Sequence, residues 1–420
     1  MPHWPILLAF TIASSGFLAL QWALVERFGQ ILRRSAPEKV GPGNSLNAVV
    51  VMCLRGSDPF LRRTLEALAA QSHQPSAIRL IVDHASDPAV SDVRIGLAAS
   101  LQEGRANLSF LEDPLVGCSL KCSSLVQACR DLPAEVDVVA FLDADTLPDA
   151  EWLARLCRPF ADESVAVVTG NRWFDPPRSS FGAVARQVWN AAAIVQMSEY
   201  RIPWGGTLCV RRSFLEEAKL PEKWGKAFCE DTMLRREAGR LRKKVVFEPT
   251  LLIPNGEDCT PGDFLGWCSR QLLTARLYHP AWTLVSGHAI LAAGLPVAAI
   301  LAALVYAVLG EWRLAGGYAL VLALLVLGNA ALVERIYRLV ASLFHRMGRP
   351  LRERSLAEAL FQGCVTGISP FLYLIAYLRS LFVRRVRWRG IDYDIHGPWD
   401  VRMLGYRPYA PRSPGDEMSL

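Results

Sequence analysis

No charged residue precedes Glu26, no Lys or Arg lies in Met1–Trp4, and no two of the ten cysteines stand in a Cys-x-x-Cys spacing. The last absence, with no His partner at zinc spacing, excludes a structural zinc site at Cys118 and Cys122 and leaves buried, reduced thiols as the expectation. A basic stripe interleaved with aromatics is also missing, so nucleic acid is not an expected partner. No fixed period and no low-complexity tract recur, which excludes a coiled coil, a collagen-like repeat and a solenoid. Charged residues are only 20% of the 420 and hydrophobic ones 51%, with a mean hydropathy of +0.20, so the chain is neither disordered nor an ordinary soluble protein.

Long apolar runs are present instead. Uncharged stretches cover Pro5–Val25, Ala281–Gly310, Leu314–Val333 and Ala359–Leu378, each near the roughly 20 residues that cross a hydrocarbon core of about 30 Å. The stretch between them, from about Ser45 to Pro280, is far less apolar and long enough to bury a large core. The expected plan is an N-terminal transmembrane anchor over residues 1–30 and a cytoplasmic soluble domain over 45–280. Membrane helices with a basic loop at 335–354 then occupy 281–383, and a cytoplasmic tail occupies 384–420.

Charge sets the expected topology. Arg27, Arg33 and Arg34 follow the first run, the reverse of a secretory signal, which favours an anchor whose C-terminal side faces the cytoplasm. After the third run, Arg335, Arg338, Arg346, Arg349, Arg352 and Arg354 meet only Glu353, which marks a second cytoplasmic segment. The fourth run leads into Arg379, Arg384, Arg385, Arg387 and Arg389, and a single crossing would carry that cluster to the wrong side. Gly363, Gly367 and Ser369-Pro370 therefore suggest a broken helix that dips in and returns, or an interfacial one, with a true span as the alternative. These arginines explain the net charge of +6, either as topology determinants or as ligands of anionic headgroups.

Within the soluble domain, Val-rich runs at Asn47–Leu54, Ile78–Val82, Val136–Leu142 and Val165–Thr169 alternate with helical patterns such as Leu61, Leu65 and Leu68, before which Asp58-Pro59 looks like an N-cap and first helical proline. The fold class is α/β with an open, mostly parallel sheet and flanking helices. Ligands of such sheets bind beyond the C-terminal strand ends, where Asp83 and the Asp143-Ala-Asp145 pair fall. Two carboxylates one residue apart can face a divalent cation on a diphosphate, although such pairs at strand ends are more often solvated turns or helix caps. Glu230-Asp231 is either a helix N-terminus or a source of a general base.

The order of Leu54-Arg-Gly-Ser-Asp-Pro59, Val82-Asp-His-Ala-Ser-Asp-Pro-Ala89, Val116-Gly-Cys-Ser-Leu-Lys-Cys122, Phe141-Leu-Asp-Ala-Asp145 and Cys229-Glu-Asp231 resembles glycosyltransferase family 2. More closely it resembles family 21, the ceramide glucosyltransferase branch, through to Arg387-Trp388-Arg389-Gly390. The resemblance implies a GT-A-type fold and an inverting transfer of a sugar, glucose first among the choices, from a UDP-sugar to a lipid hydroxyl at the bilayer. It implies that Asp83 contacts the uracil and ribose, that Asp143 and Asp145 hold Mg²⁺ or Mn²⁺, and that Asp231 is the catalytic base. Lys121, in the Gly and Lys stretch, would contact the nucleotide, or simply be an exposed lysine. Trp204, Gly205 and Gly206 fall at the acceptor-side loop with Glu230, where small residues let a substrate approach the backbone.

The family's final motif departs here. In Arg270-Gln-Leu-Leu-Thr274 the first Arg stands, but Leu273 and Thr274 replace the Arg-Trp pair. Arg276, three residues past Leu273, is expected to supply the missing charge to the donor or to meet lipid phosphates. The loss of that Trp argues against a processive polysaccharide synthase, and a silent membrane scaffold is the other alternative. Trp267, Tyr278 and Trp282 are expected as interfacial rings before the second apolar run.

Overall fold

A computed structural model describes residues 3–35 and 46–410; the last part of the expected tail, 411–420, lies outside the described residues. The chain opens with α1 (Trp4–Arg34) and passes into β1 (Ala48–Leu54), α2 (Leu61–Ala69), β2 (Ala77–Val82), α3 (Ala89–Gly96), α4 (Ala98–Gln102) and β3 (Ala106–Phe110). There follow α5 (Leu120–Ala128), β4 (Val138–Leu142), α6 (Trp152–Cys157), β5 (Val165–Phe174), α7 (Phe181–Tyr200) and β6 (Thr207–Arg211). Three short helices, α8 (Arg212–Glu217), α9 (Leu220–Trp224) and α10 (Leu234–Arg240), lead to β7 (Lys244–Asn255) and α11 (Pro261–Tyr278). The long helices α12 (Trp282–Val308), α13 (Trp312–Arg346) and α14 (Leu356–Phe382) precede β8 (Arg385–Trp388), β9 (Ile391–Gly397) and β10 (Asp400–Leu404).

The strand order of the main sheet is β3-β2-β1-β4-β6-β5-β7, and β6 alone runs against its neighbours. Strand β4 is buried at all five positions, as its unbroken apolar run requires between two layers. One face packs Val50, Leu80 and Val138 against Leu61, Leu65 and Val93, and the other packs Val49, Val139 and Phe141 against α5, α9 and α10. Asp58 does not cap α2: Phe60 occupies that position, and Asp58 is buried for another purpose described below.

Four helices, α1, α12, α13 and α14, are long and apolar enough to cross a membrane by length and composition. Leu7 of α1 lies against Gly317 of α13 and Leu18 against Gly328, a close helix approach that larger residues would block. At the end of this contact Glu26 accepts from Arg335 Nε and Nη2 at 2.7 and 3.1 Å. The expected basic loop is half helix, since α13 continues to Arg346, and its arginines are spent within the protein. Arg338 and Arg354 bind Glu334, Arg349 binds Asp149, Arg352 binds Glu358, and Arg346 donates to the Leu32 and Arg33 carbonyls.

The fourth apolar run corrects the expectation of a broken helix. Helix α14 is one unbroken helix of 27 residues, about 40 Å long. Pro370 cannot donate to the Thr366 carbonyl four residues back, but the Ser369 hydroxyl does so at 2.9 Å. Both ends of α14 are tied to the soluble domain: Ser179 donates to Glu358 at 3.1 Å, and Arg276 donates to the Leu381 carbonyl at 3.0 Å. The tail, in turn, is part of the domain core. Ile391, Tyr393, Ile395, Val401 and Met403 of the antiparallel β8–β9–β10 sheet are buried against the α5 and α9 side of the main sheet.

Candidate active site

The buried β4 delivers Asp143 and Asp145 to the C-terminal edge of the sheet, beside the start of β6, where Leu142 is paired with Thr207. Lys121 reaches them from the first turn of α5, whose N-cap Ser119 accepts from the Cys122 amide. Its ammonium lies 2.6 Å from Asp143 Oδ1 and 2.6 Å from Glu230 Oε1, so it is the bridging cation of an acidic cluster and not an exposed lysine. Burial pulls its pKa down, but Asp143 and Glu230 outweigh that and hold it charged well above its ordinary value. Burial also pushes the Glu230 carboxyl up to about 7, against the pull of Lys121.

Asp231 is held by backbone donors. Its Oδ2 accepts from the Gly205 amide at 2.8 Å, its Oδ1 from the Thr232 amide at 2.5 Å, and its carbonyl receives the Leu234 amide that opens α10. Both glycines leave room for neighbouring side chains, and Gly205 also lines the polar cavity described below. A Cβ at Gly205 would collide with the Glu230 carboxylate, and one at Gly206 with the Trp204 ring.

Arginines complete the site, and most were not singled out from sequence. Arg172 of β5 lies with Nη1 3.5 Å from Asp145 Oδ2 and its guanidinium 4.7 Å from the Trp204 ring centroid. Arg172 as the one charged residue of the Val165–Phe174 strand was the available signal. Arg270 of α11 lies 5.5 Å from the Trp388 ring centroid, and burial, with Arg172 and Arg389 nearby, pushes its pKa down to about 10. Arg389, at the turn between β8 and β9, donates to Asp58 Oδ2 at 2.9 Å and to the Arg55 carbonyl at 3.2 Å. Burial raises the Asp58 pKa despite that partner, while Asp58 more than offsets the burial of Arg389 and raises the pKa of the arginine.

Arg276 does not join them: it caps the end of α14, and Leu273, which it follows on the helix, is fully buried in the core. Trp267 and Tyr278 are not interfacial rings either. Trp267 packs edge-on against Phe174 and Trp189, and the Tyr278 hydroxyl accepts from the Phe228 amide and donates to the Pro398 carbonyl. Trp282 stacks on Tyr377 of α14.

Two cavities meet here. A polar one is lined by Lys121, Asp143, Asp145, Glu230, Asp231, Arg270, Trp388 and Arg389. An apolar one runs between α1, α7 and α11–α14, with Leu24, Val25, Val188, Ala193, Val285 and Ile336 among its walls. Arg172, Trp204, Asp231, Trp267, Gln271 and Thr274 line both. Asp83 lines neither; its carboxylate is sealed under Arg55 and Tyr409, which differs from the open nucleotide contact expected of it.

The family model for Glycosyl transferase family 21 matches residues 6–398, nearly the whole chain. The chain belongs to glycosyltransferase family 21. It is therefore a membrane-type glycosyltransferase with a GT-A-type sheet, acting on a nucleotide-sugar donor. No curated protein matches it. Among solved structures it is similar to the mannosyltransferase PcManGT from Pyrobaculum calidifontis in complex with GDP-Man and Mn²⁺, at 15% identity and a TM-score of 0.47 over 90% of this chain and 99% of that one. It is also similar to glucosyl-3-phosphoglycerate synthase from Mycobacterium tuberculosis, solved with Mn²⁺, UDP-glucose and phosphoglyceric acid, at 17% identity and a TM-score of 0.35 over 57% of this chain and 80% of that one.

Proposed function

We propose that this family 21 enzyme transfers a sugar, glucose first among the candidates, from a UDP-sugar to the hydroxyl of a membrane lipid such as ceramide, with inversion at the anomeric carbon. The observation that carries this is the position of Asp231 in the wall common to a polar cavity and an apolar, helix-lined one. A donor in the first and a lipid in the second meet at one carboxylate.

Asp231, its lone pairs oriented by the Gly205 and Thr232 amides, takes the proton of the lipid hydroxyl as that oxygen attacks the anomeric carbon. Direct attack opposite the departing diphosphate inverts the centre. Asp143 and Asp145, paired in this structure with Lys121 and Arg172, are the carboxylates that would hold a divalent cation of the Mg²⁺ or Mn²⁺ type, with phosphate oxygens and water completing its shell. When bound, such an ion neutralises charge on the leaving UDP. Lys121, Arg172 and Arg270 add fixed positive charge along the same cavity. Thr274, small where the family motif has a Trp, lines both cavities, an arrangement that suits one lipid hydroxyl better than a threaded polysaccharide.

In this reading α1 and the α12–α13 pair cross the bilayer, the catalytic domain faces the cytoplasm, and α14 lies along the interface, because both of its ends are bonded to that domain. The test is UDP release by purified protein in detergent, with Mn²⁺ or Mg²⁺, a panel of UDP-sugars and a mixed lipid extract, followed by mass spectrometry. The expected result is a lipid shifted by one hexose, lost with chelator. UDP release without any shifted lipid would count against the lipid acceptor.

A further inference from the structure

We propose that residues 405–409 form a strap that holds the nucleoside end of the donor site shut, and that a nucleotide enters fully only when the strap lifts from Asp83. The inference rests on the donor reading above and adds a gate to it. Asp83 sits at the C-terminal end of β2, on the sheet edge where ligands of such folds bind, yet its side chain has no exposed surface. The polar cavity extends to Arg55 and Asp58 and stops short of it.

The cover is specific. The Tyr409 amide donates to Asp83 Oδ2 at 2.9 Å, and the Tyr406 hydroxyl donates to the Asp83 carbonyl at 3.1 Å. Arg55 pairs with the Asp83 carboxylate and ties down the strap through the Arg407 carbonyl at 3.0 Å, with its guanidinium 5.8 Å from the Tyr409 ring centroid. Beneath this cover Asp83 Oδ1 is buried with no hydrogen-bond partner, an unfavourable state that an N–H of a nucleobase would relieve. The strap is also lightly held. It leaves β10 through Gly405, whose φ of +74° turns the chain, and it joins no strand or helix, with Arg407 and Pro408 exposed. Tyr406 packs against the edge of the core, but the segment has no strand ladder, and chain held without a ladder opens at lower cost than the strands beside it.

A closed strap divides nucleotide affinity by the fraction of time the site is open. The experiment titrates UDP, and separately GDP, with Mn²⁺ into the full-length protein in detergent. It compares wild type with Tyr409→Pro, which deletes the amide donor and the ring, and Tyr406→Phe, which deletes the hydroxyl. Each lost hydrogen bond is expected to tighten binding of the accepted nucleotide by about five-fold. In the wild type, saturating nucleotide should speed amide hydrogen exchange at 405–410. Unchanged or weaker binding in variants that keep the wild-type melting temperature overturns the strap while leaving the donor reading in place. If neither nucleotide binds to any of the three proteins, the donor reading falls and the strap with it.

Discussion

At the scale of single residues, the site sets charge against burial. Asp231 keeps two backbone donors and access to both cavities, whereas the adjacent Glu230 is buried and bonded to Lys121. On the proposed role of Asp231 and a UDP-sugar donor, Asp231→Asn keeps the shape and removes the base, so turnover should fall by about 10²–10⁴-fold while UDP binding stays within a few-fold, read by steady-state rates and calorimetry. Glu230 makes a different prediction. Its folded carboxyl sits at about 7 against an ordinary 4.5, so the folded state holds a proton that the unfolded chain releases. That contribution to stability is full below about pH 4.5 and is lost as pH rises through 7. The melting temperature of wild type relative to Glu230→Gln should therefore fall between pH 5 and pH 8, and a constant difference would remove Glu230 from the account. Asp143, Asp145, Lys121, Glu230 and Asp231 were all legible as residues, but their mutual pairing was not, because Lys121 and Glu230 are more than a hundred positions apart.

Single elements decide which residues face which cavity. Along α11, Trp267, Arg270, Gln271 and Thr274 share one helix face and line the polar cavity, while Leu273 points into the core. Arg276 follows Leu273 around the helix, so counting from the missing motif arginine led away from the donor. The same argument gives the apolar cavity its test. Ala193 on α7 lines that cavity and stays clear of the polar one, and Ala193→Trp should fill it. Lipid transfer should drop at least ten-fold through a raised acceptor KM, while hydrolysis of the UDP-sugar and UDP affinity persist. Equal loss of both activities would mean that the substitution disturbs the fold and not the lipid path. The Gly205-Gly206 pair has a second reason for its residue type that sequence reading did not give: the space beside it is filled by Glu230 and Trp204.

Across the whole molecule, the C-terminal segment joins the catalytic domain to the site from the far side of the membrane helices. Its sheet buries Ile395 at 2% exposure in the main core and brings Trp388 and Arg389 to the polar cavity. Ile395→Ala should cost about 2–5 kcal/mol of catalytic-domain stability, visible as a lowered melting temperature with unchanged helix content. A free tail would show no change. The arginines of the 335–354 segment belong to the same scale, since their partners Glu26, Asp149, Glu334 and Glu358 come from separate parts of the chain.

Periodicity and composition by themselves determined the apolar helices, the alternating α/β domain and the acidic strand ends, because each is a local pattern; the family was legible only as a resemblance in the order of short motifs. Element ends were less even: β1 was read as Asn47–Leu54 and is Ala48–Leu54, whereas the strand read as Val165–Thr169 runs on to Phe174. Only the tertiary structure decided that α14 stays whole across Pro370, because the rescuing donor is a neighbouring hydroxyl whose rotamer depends on packing. Long-range closure likewise placed Arg389 on Asp58 and the Tyr409 amide on Asp83, contacts spanning 331 and 326 residues. Such pairs leave no periodic trace, since their energy depends on which buried charge finds which partner once the layers have packed.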